Sequence, residues 1–443
     1  MTYQETIAHF EQLGKLGIQL GLVRIERLLN HMGNPHHKLK FIHVAGTNGK
    51  GSTCYMLSNI LSHSGYKTGL FTSPYILDFR ESIQINMKMI SEEHFLECAE
   101  YVYHCAEQST INNDPPTQFE ILTAIALEFF VRQKCDIVLL EVGLGGTLDS
   151  TNIIPPPLLQ IITSISLDHT NILGSTIEEI TKEKSGIIKS ATTIVYPKLP
   201  KEAIQILKKK CKRVNSKLVQ PDCTSLQFNT NSFGVCDFSY EGISYKKSLL
   251  GEVQLYNAIV VITASKELNQ LGFSLPSESI CYGVEHTFIP ARMEILSESP
   301  LVLLDGSHNE DGAIALKKTL ATFPKTSIKM IMGVLKDKNI YKILENTATL
   351  SNIFIAVSPN HPRALSSKKL AEVSKQYCNN EAASTMLLMA KKASSLEEAV
   401  NSAFLNLKES DILVICGSLY LSHDIRPILI RKIKSLSMTK HKN

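Results

Sequence analysis

None of the ten cysteines pairs with another in a C-x-x-C spacing, and the opening MTYQETIAHF shows no basic-then-apolar leader. No apolar run approaches the roughly 18 residues that would cross a bilayer. These absences lead to the expectation of a cytoplasmic protein, with no membrane partner, whose cysteines are small core residues. Charge of one sign is also scarce. The net charge is +4 over 443 residues, and basic runs such as Lys208–Lys212 are short, so nucleic acid is not an expected partner. No internal repeat or low-complexity tract stands out. There is no N-K-x-D motif and no protein-kinase signature, which argues against a GTPase or a kinase.

What is present is an ordinary globular composition, 44% hydrophobic and 20% charged, on a chain long enough for two or three cores. The most informative stretch is Phe41–Thr53, FIHVAGTNGKGST. An apolar run ends in a glycine-rich turn and a helical pattern follows. Gly46, Gly49 and Gly51 permit a tight turn whose N–H groups point inward, and the next helix adds a positive dipole. Lys50 supplies a cation for phosphate, and Ser52 or Thr53 a hydroxyl for Mg²⁺ or phosphate. The spacing departs from G-x-x-x-x-G-K-[ST], since a glycine separates the lysine from the first hydroxyl.

Further along, strands are expected at Lys40–Ala45, Thr68–Phe71, Asp136–Val142 and Leu159–Ile165, with helices near 91–108, 117–134 and 176–190. The near-continuous apolar run DIVLLEV suits a strand buried on both faces of a parallel sheet. Between about 216 and 250 the pattern turns short and alternating, which predicts a small antiparallel excursion. A helix is expected over Tyr256–Leu271. The segment His286–Arg292 then marks a boundary. From LVLLDGSH onward strands and helices alternate again, and the tail after Ser437 is expected to fray. The expected fold class is α/β: a P-loop-type doubly wound domain over residues 1–289 and a Rossmann-like domain over 290–443.

Doubly wound sheets put working residues at the carboxyl ends of strands. Ser73, Glu141, Asp168, His169, Asp305 and His308 all qualify. Each also has a plainer reading. Ser73 in T-S-P can simply shape a turn, His169 can be a satisfied structural histidine, and Asp305 with His308 can be helix-start chemistry. Glu141 is the stronger case, because an acid ending an apolar strand is costly to bury without a metal or lysine partner. The loop EVGLGGTLDSTN (141–152) combines glycines with acids, amides and hydroxyls, a composition suited to close approach to a ligand. Lys184, 15 residues after His169, would by itself simply face solvent.

Taken in order, the motifs HVAGTNGKGST (43–53), GLFTSP (69–74), EVGLGGTLDSTN (141–152), LDHTNILGSTIEEITKEKSGIIK (167–189), QLYNA (254–258), ARMEI (291–295), DGSHNEDG (305–312) and ICGSLYL (415–421) span nearly the whole chain. In this order they resemble the folylpolyglutamate synthase and dihydrofolate synthase branch of the Mur ligase superfamily. The resemblance implies an ATP-dependent amide ligase that adds L-glutamate to a folate or pteroate through an acyl phosphate, acting as a monomer. It assigns Gly46, Thr47, Asn48, Gly49, Lys50, Gly51, Ser52 and Thr53 to the phosphates of ATP, and Asn257, Arg292 and Asp305 to nucleotide contacts. Ser73, Glu141 and His169 become Mg²⁺ ligands. Lys184 matches a lysine that the family carboxylates with CO₂ to hold a second Mg²⁺. Arg292 and His308 would act near the transferring phosphoryl group, and Asp149 and Ser150 near the pterin-bearing substrate.

Two positions depart from the family pattern. Thr147 stands where GGRLDATN carries arginine, and Ser82 where E-R-I carries another, so the hold on an anionic folate tail is expected to differ. Two alternatives remain open at this point: a Mur-type ligase with another acceptor, and a non-catalytic folate- or nucleotide-binding paralogue.

Overall fold

The computed structural model describes residues 2–14, 17, 19–230, 236–246, 249–323, 327–377 and 393–440. The largest sheet holds β1 (Phe41–Ala45), β2 (Thr68–Phe71), β3 (Ile83–Ile85), β4 (Lys88–Met89), β5 (Ile137–Glu141), β6 (Leu159–Ile162), β7 (Thr192–Val195) and β8 (Leu218–Val219). Their spatial order is β4-β3-β2-β5-β1-β6-β7-β8. From β2 to β8 all neighbours are parallel, and β3 and β4 extend the sheet antiparallel beyond β2. Strands β1 and β5 are buried at every position; their nearly continuous apolar runs, interrupted by His43 in β1 and ended by Glu141 in β5, suit strands covered on both faces.

After β1 the chain passes through the helix Lys50–His63 to β2, returns as β5, and then crosses to β6 on the other side of β1. Val44 lies level with Glu141 on one neighbour and Ile161 on the other. The strand order therefore reverses at β1, and the loops leaving β1, β5 and β6 open on one edge. A crevice at that edge is where open α/β sheets bind ligands.

A second sheet is antiparallel, with β9 (Gln227–Thr230), β10 (Cys236–Tyr240) and β11 (Ile243–Tyr245). The third contains β12 (Glu294–Glu298), β13 (Leu301–Leu304), β14 (Ile328–Met332), β15 (Ile353–Ala356) and β16 (Ile412–Cys416), ordered β12-β13-β16-β14-β15. Only β12 runs antiparallel in it. The protein is thus α/β, with two mainly parallel sheets.

The helix Glu252–Gln270 ties the parts together. Leu255, Ile259, Val260 and Val261 on it are fully buried, each worth about 1.5–3 kcal/mol relative to exposure. They belong to one apolar cluster that runs from Ile42 and Leu139 to Val302, Leu413 and Ile415. Every residue of it from Gln254 to Ser265 is buried, so the helix is packed between layers rather than laid on a surface.

Several expected elements come out differently. The antiparallel region starts only at β9, because β8 pairs parallel with β7 and completes the large sheet. Part of the excursion, residues 231–235 and 247–248, lies outside the described residues. The helix expected to 190 stops at Lys184 and gives way to a 3₁₀ turn, Ser185–Ile187. Strand β12 and the helix Ser277–His286 are additions to the expected elements. The last helix continues past Ser437 to Lys440, and residues 441–443 lie outside the described part. Among the described residues no helix is long and apolar enough to cross a membrane, and eight cysteines carry free thiols.

Candidate active site

Strand β1 ends at Ala45 and the glycine turn begins. Gly46 has φ 150°, and a Cβ there would fall 1.8 Å from Thr163 Oγ1, at the exit of β6. Gly49 has φ 88°, left-handed, and a Cβ would fall 2.6 Å from Asn257 Oδ1. Only glycine fits at either position. Gly49 starts the helix Lys50–His63 without a side-chain cap, so its first-turn N–H groups are donors for a ligand. The Thr47 N–H donates to Ser164 O at 2.7 Å, and its hydroxyl donates to Ser166 O at 3.1 Å. The turn is thereby locked to the segment that carries Asp168 and His169.

Two adjoining cavities meet at this turn. One, of about 110 Å³, is lined by Gly46–Ser52, Ser73, Glu141, His169, Lys184, Arg292 and His308, among others. The other, of about 250 Å³, is bounded by Asn257, Tyr196, Tyr256, Asp305 and Lys318. Asn48, Gly49, Ser52, Arg292 and His308 line both. The smaller cavity brings Ser73, Glu141, His169 and Lys184 together although 111 residues separate the first from the last.

Electrostatics inside the smaller cavity are under-compensated. Glu141 is buried, and burial raises its pKa against the opposing pull of Lys50 and the Ser73 N–H. Lys50 Nζ stands 4.0 Å from its Oε1, and the Ser73 N–H reaches Oε2 at 3.3 Å. Burial, then the charge of Lys338, lowers His169 to about 4, which leaves a neutral ring able to ligate. Burial also lowers Lys184 to about 7, with Lys50 adding to the effect. Its Nζ donates to Gly46 O at 2.8 Å. The residues present fit a divalent cation beside a polyphosphate: a buried carboxylate short of positive charge, a neutral imidazole and a serine hydroxyl. Among the described residues no three of His, Cys, Asp and Glu converge on one point, so other ligands would come from phosphate and water.

Lys184 is placed by backbone contact. A Cβ at Gly146 would stand 2.8 Å from Glu183 O and 2.9 Å from Lys184 O, and one at Gly186 would stand 2.2 Å from Thr147 Oγ1. The glycine-rich loop after β5 therefore lies directly on the helix end that presents Lys184. Thr147 donates its hydroxyl to Glu183 O at 3.0 Å.

Other expected residues lie elsewhere or act indirectly. Thr53 is fully buried and lines neither cavity. Asp149 and Ser150 are buried outside both. Asp149 accepts from Leu144 N at 2.8 Å, Thr151 N at 3.0 Å and the Thr151 hydroxyl at 2.5 Å, while Ser150 Oγ pairs with Thr123 Oγ1 at 3.0 Å. Asp305 lines the larger cavity, but its carboxylate also accepts from Met293 N at 3.0 Å and Ser307 N at 2.9 Å. The His308 Nδ1–H donates to Gly306 O at 2.8 Å, which turns Nε2 towards Asp168 Oδ2 at 3.6 Å.

Three residues to which the sequence motifs assign no role, Lys338, Asn309 and Asp311, join the strand-end Asp168 at this site. Asp168 pairs with Lys338 Nζ and accepts from Asn309 Nδ2 at 2.9 Å. Burial would raise its pKa, but the close approach of His308 and the charges of His308 and Lys338 hold it well below the usual carboxylate range. Asn48 Nδ2 reaches Asp311 at 2.9 Å and Asn309 at 3.2 Å. These partners are more than 140 residues apart in the chain, so no local pattern announces them.

Two domain families match the chain: the Mur ligase middle domain over residues 44–265 and the Mur ligase glutamate ligase domain over 291–419. A dihydrofolate synthase/folylpolyglutamate synthase of Bacillus subtilis is 34% identical over 96% of this chain and 98% of its own. Crystal structures of Mycobacterium tuberculosis folylpolyglutamate synthase complexed with ADP and AMPPCP match with a TM-score of 0.84 at 26% identity, covering 96% of this chain and 99% of that one. A bifunctional folylpolyglutamate synthase/dihydrofolate synthase from Yersinia pestis, complexed with AMPPNP and Mn ion, matches at 0.82 and 27% identity, over 97% and 98%.

Proposed function

Because the chain belongs to the Mur ligase family, in its folylpolyglutamate synthase/dihydrofolate synthase branch, we propose that it is an ATP-dependent ligase joining L-glutamate to a folate or pteroate carboxylate. The carrying observation is the convergence of the Gly46–Ser52 turn, Glu141, His169 and Lys184 in one cavity that opens on a second, larger one. The γ-phosphoryl group of ATP passes to the acceptor carboxylate, giving an acyl phosphate and ADP. The glutamate amine then attacks the acyl carbon, phosphate leaves, and the amine proton is released.

The chain's own residues mainly position the reactants and balance charge. The Gly46–Ser52 turn cradles phosphate, and Lys50 and Arg292 offset its charge. His308, held through Nδ1, keeps Nε2 turned to the cleft. Tyr196, Tyr256 and Asn257 bound the larger cavity, which takes the nucleoside. Ser73, Glu141 and His169 would hold Mg²⁺, which neutralises phosphate charge when bound. Addition of CO₂ to the neutral Lys184 amine, with loss of a proton, would make a carbamate able to hold a second Mg²⁺. Lys184→Ala is then expected to lose activity and to regain part of it with short carboxylic acids; no regain at any concentration counts against the carbamate.

The division into residues 1–289 and 290–443 is part of this reading, supported by family matches that end at 265 and resume at 291. So is a cytoplasmic monomer, supported by free thiols and by a cleft built from one chain. Acceptor choice is the open variable. Thr147 and Ser82 line neither cavity, and among the described residues the buried Ser82 hydroxyl has no hydrogen-bond partner.

Mass analysis of products from dihydropteroate, tetrahydrofolate and a UDP-muramyl peptide, each with ATP and L-glutamate, tests the proposal. Glutamate addition to one or both pterin substrates is expected. Product with the muramyl peptide alone would remove the folate reading. Absence of amine-dependent ADP release with every acceptor would remove the enzyme.

A further inference from the structure

Arg292 lines both cavities, yet the backbone on either side of it is in a conformation that side chains disfavour. Ala291 has φ 53° and Met293 has φ 49°. The left-handed region is disfavoured roughly tenfold for each non-glycine residue. Two such residues flanking an arginine persist only where neighbours over-determine them.

The neighbours are identifiable. The Ala291 N–H donates to Glu294 Oε2 at 3.0 Å, and the Met293 N–H to Asp305 Oδ2 at 3.0 Å. The Gly306 N–H donates to Ala291 O at 2.7 Å. Asp305 and Gly306 follow β13 and are fixed by the sheet. Glu294 opens β12 at the sheet edge and is held from elsewhere. Arg426, on the C-terminal helix Leu419–Lys440, grips both its oxygens, with Nη2 at 2.7 Å from Oε1 and Nε at 3.0 and 3.1 Å from the two. Glu294 is buried, and neither it nor Arg426 lines a cavity.

We propose that Glu294 and Arg426 are a positioning pair for Arg292. Held by Arg426, the Glu294 carboxylate keeps Ala291 left-handed, and this aims the Arg292 side chain where the two cavities join. Without Arg426 the carboxylate is buried beside no cation and turns away, and residues 291–293 relax to negative φ. The inference rests on the reading of Arg292 as a phosphate-side residue.

The test compares Arg426→Met and Arg426→Lys, each with and without Ala291→Gly, in the full chain. The measurements are kcat, KM for ATP, ADP affinity by calorimetry and the thermal midpoint. Arg426→Met is expected to lower kcat by about 10- to 100-fold, the scale of a misplaced reacting group, while ADP affinity changes less than about threefold. Arg426→Lys falls between, because an ammonium cannot bridge both oxygens in a fork. It also serves the test should Arg426→Met fail to fold.

Adding Ala291→Gly is expected to raise the kcat of Arg426→Met by about fivefold, since glycine takes positive φ without penalty, and to leave its lowered midpoint unrestored. A merely structural role for Arg426 does not give recovery of rate without recovery of stability. Arg426→Met with wild-type kcat, or a loss that Ala291→Gly leaves untouched, overturns the inference. Arg292→Ala separates the two levels. If it is inactive while Arg426→Met is fully active, only the positioning fails. If it is fully active, the reading of Arg292 fails and the inference with it.

Discussion

At the scale of single residues, the glycine turn is the most legible part of the molecule. Its type, G-T-N-G-K-G-S, names the chemistry, and the structure supplies the steric reasons for two of its glycines, Thr163 at Gly46 and Asn257 at Gly49. Lys50 is the testable residue. Replacing it with alanine removes the cation nearest Glu141 and, on the proposed reading of the turn, a charge that faces phosphate. Turnover is expected to fall by at least about 10²-fold, as for other donors to developing charge, while Glu141 takes a proton instead of remaining an unpaired buried charge. Amine-dependent ADP release and far-ultraviolet circular dichroism check this. A folded variant with activity within about tenfold of wild type would contradict the phosphate role. Asp149 teaches the opposite lesson. The family resemblance implies a place near the pterin-bearing substrate, its oxygens accept from Leu144 N and Thr151 N of its own loop, and sequence alone cannot tell a carboxylate facing a cleft from one facing its own backbone.

At the scale of elements, β1 does more than carry the turn. His43 lies fully buried at its middle, with Nε2 2.9 Å from Thr151 Oγ1. Since the Thr151 hydroxyl donates to Asp149, His43 donates from Nε2, and among the described residues its buried Nδ1 has no hydrogen-bond partner. Burial pushes its pKa down to about 3, with the charge of Lys189 adding to the shift. The neutral form is thus favoured in the folded state, and the unfolded chain takes up a proton first, near pH 6.5. Below that pH the unfolded state binds more protons, so stability falls as pH drops, until the folded histidine titrates near pH 3. Between pH 6.5 and 5 this residue is expected to cost about 2 kcal/mol. His43→Gln keeps an amide donor for Thr151 and removes the titration. Denaturant unfolding at the two pH values should show a smaller loss for the variant, and equal losses would discount His43. The same strand is legible in the sequence because burial on both faces favours a nearly continuous apolar run, here interrupted by His43. Strand β8 was not readable, because two residues at a sheet edge carry no period.

At the scale of the whole molecule, the cleft exists because two sheets are held in one arrangement. The buried helix Glu252–Gln270 supplies an apolar joint, and polar contacts bridge the mouth: Asn48 to Asn309 and Asp311, and Asp168 to Lys338. Asp168 and Lys338 are both under a tenth exposed. Removing one partner of such a pair costs about 3 kcal/mol, mostly through the charge left behind. Lys338→Met is therefore expected to weaken this arrangement of the two sheets by that order. Small-angle scattering without nucleotide should show a larger radius of gyration than wild type. Superimposable profiles would mean that the helix joint alone sets the arrangement.

The sequence by itself determined the α/β class, the ligase motif set and the strand ends where chemistry collects, because these follow from short-range periodicity and from residue types that must be adjacent to make a turn. The tertiary structure alone decided which candidates share a cavity, that Asp149 and Thr53 do not reach it, and that Asp168, Lys338, Glu294 and Arg426 matter. The pairings of those last four residues join positions 132 to 170 apart, where no local spacing rule operates and only packing brings the partners together.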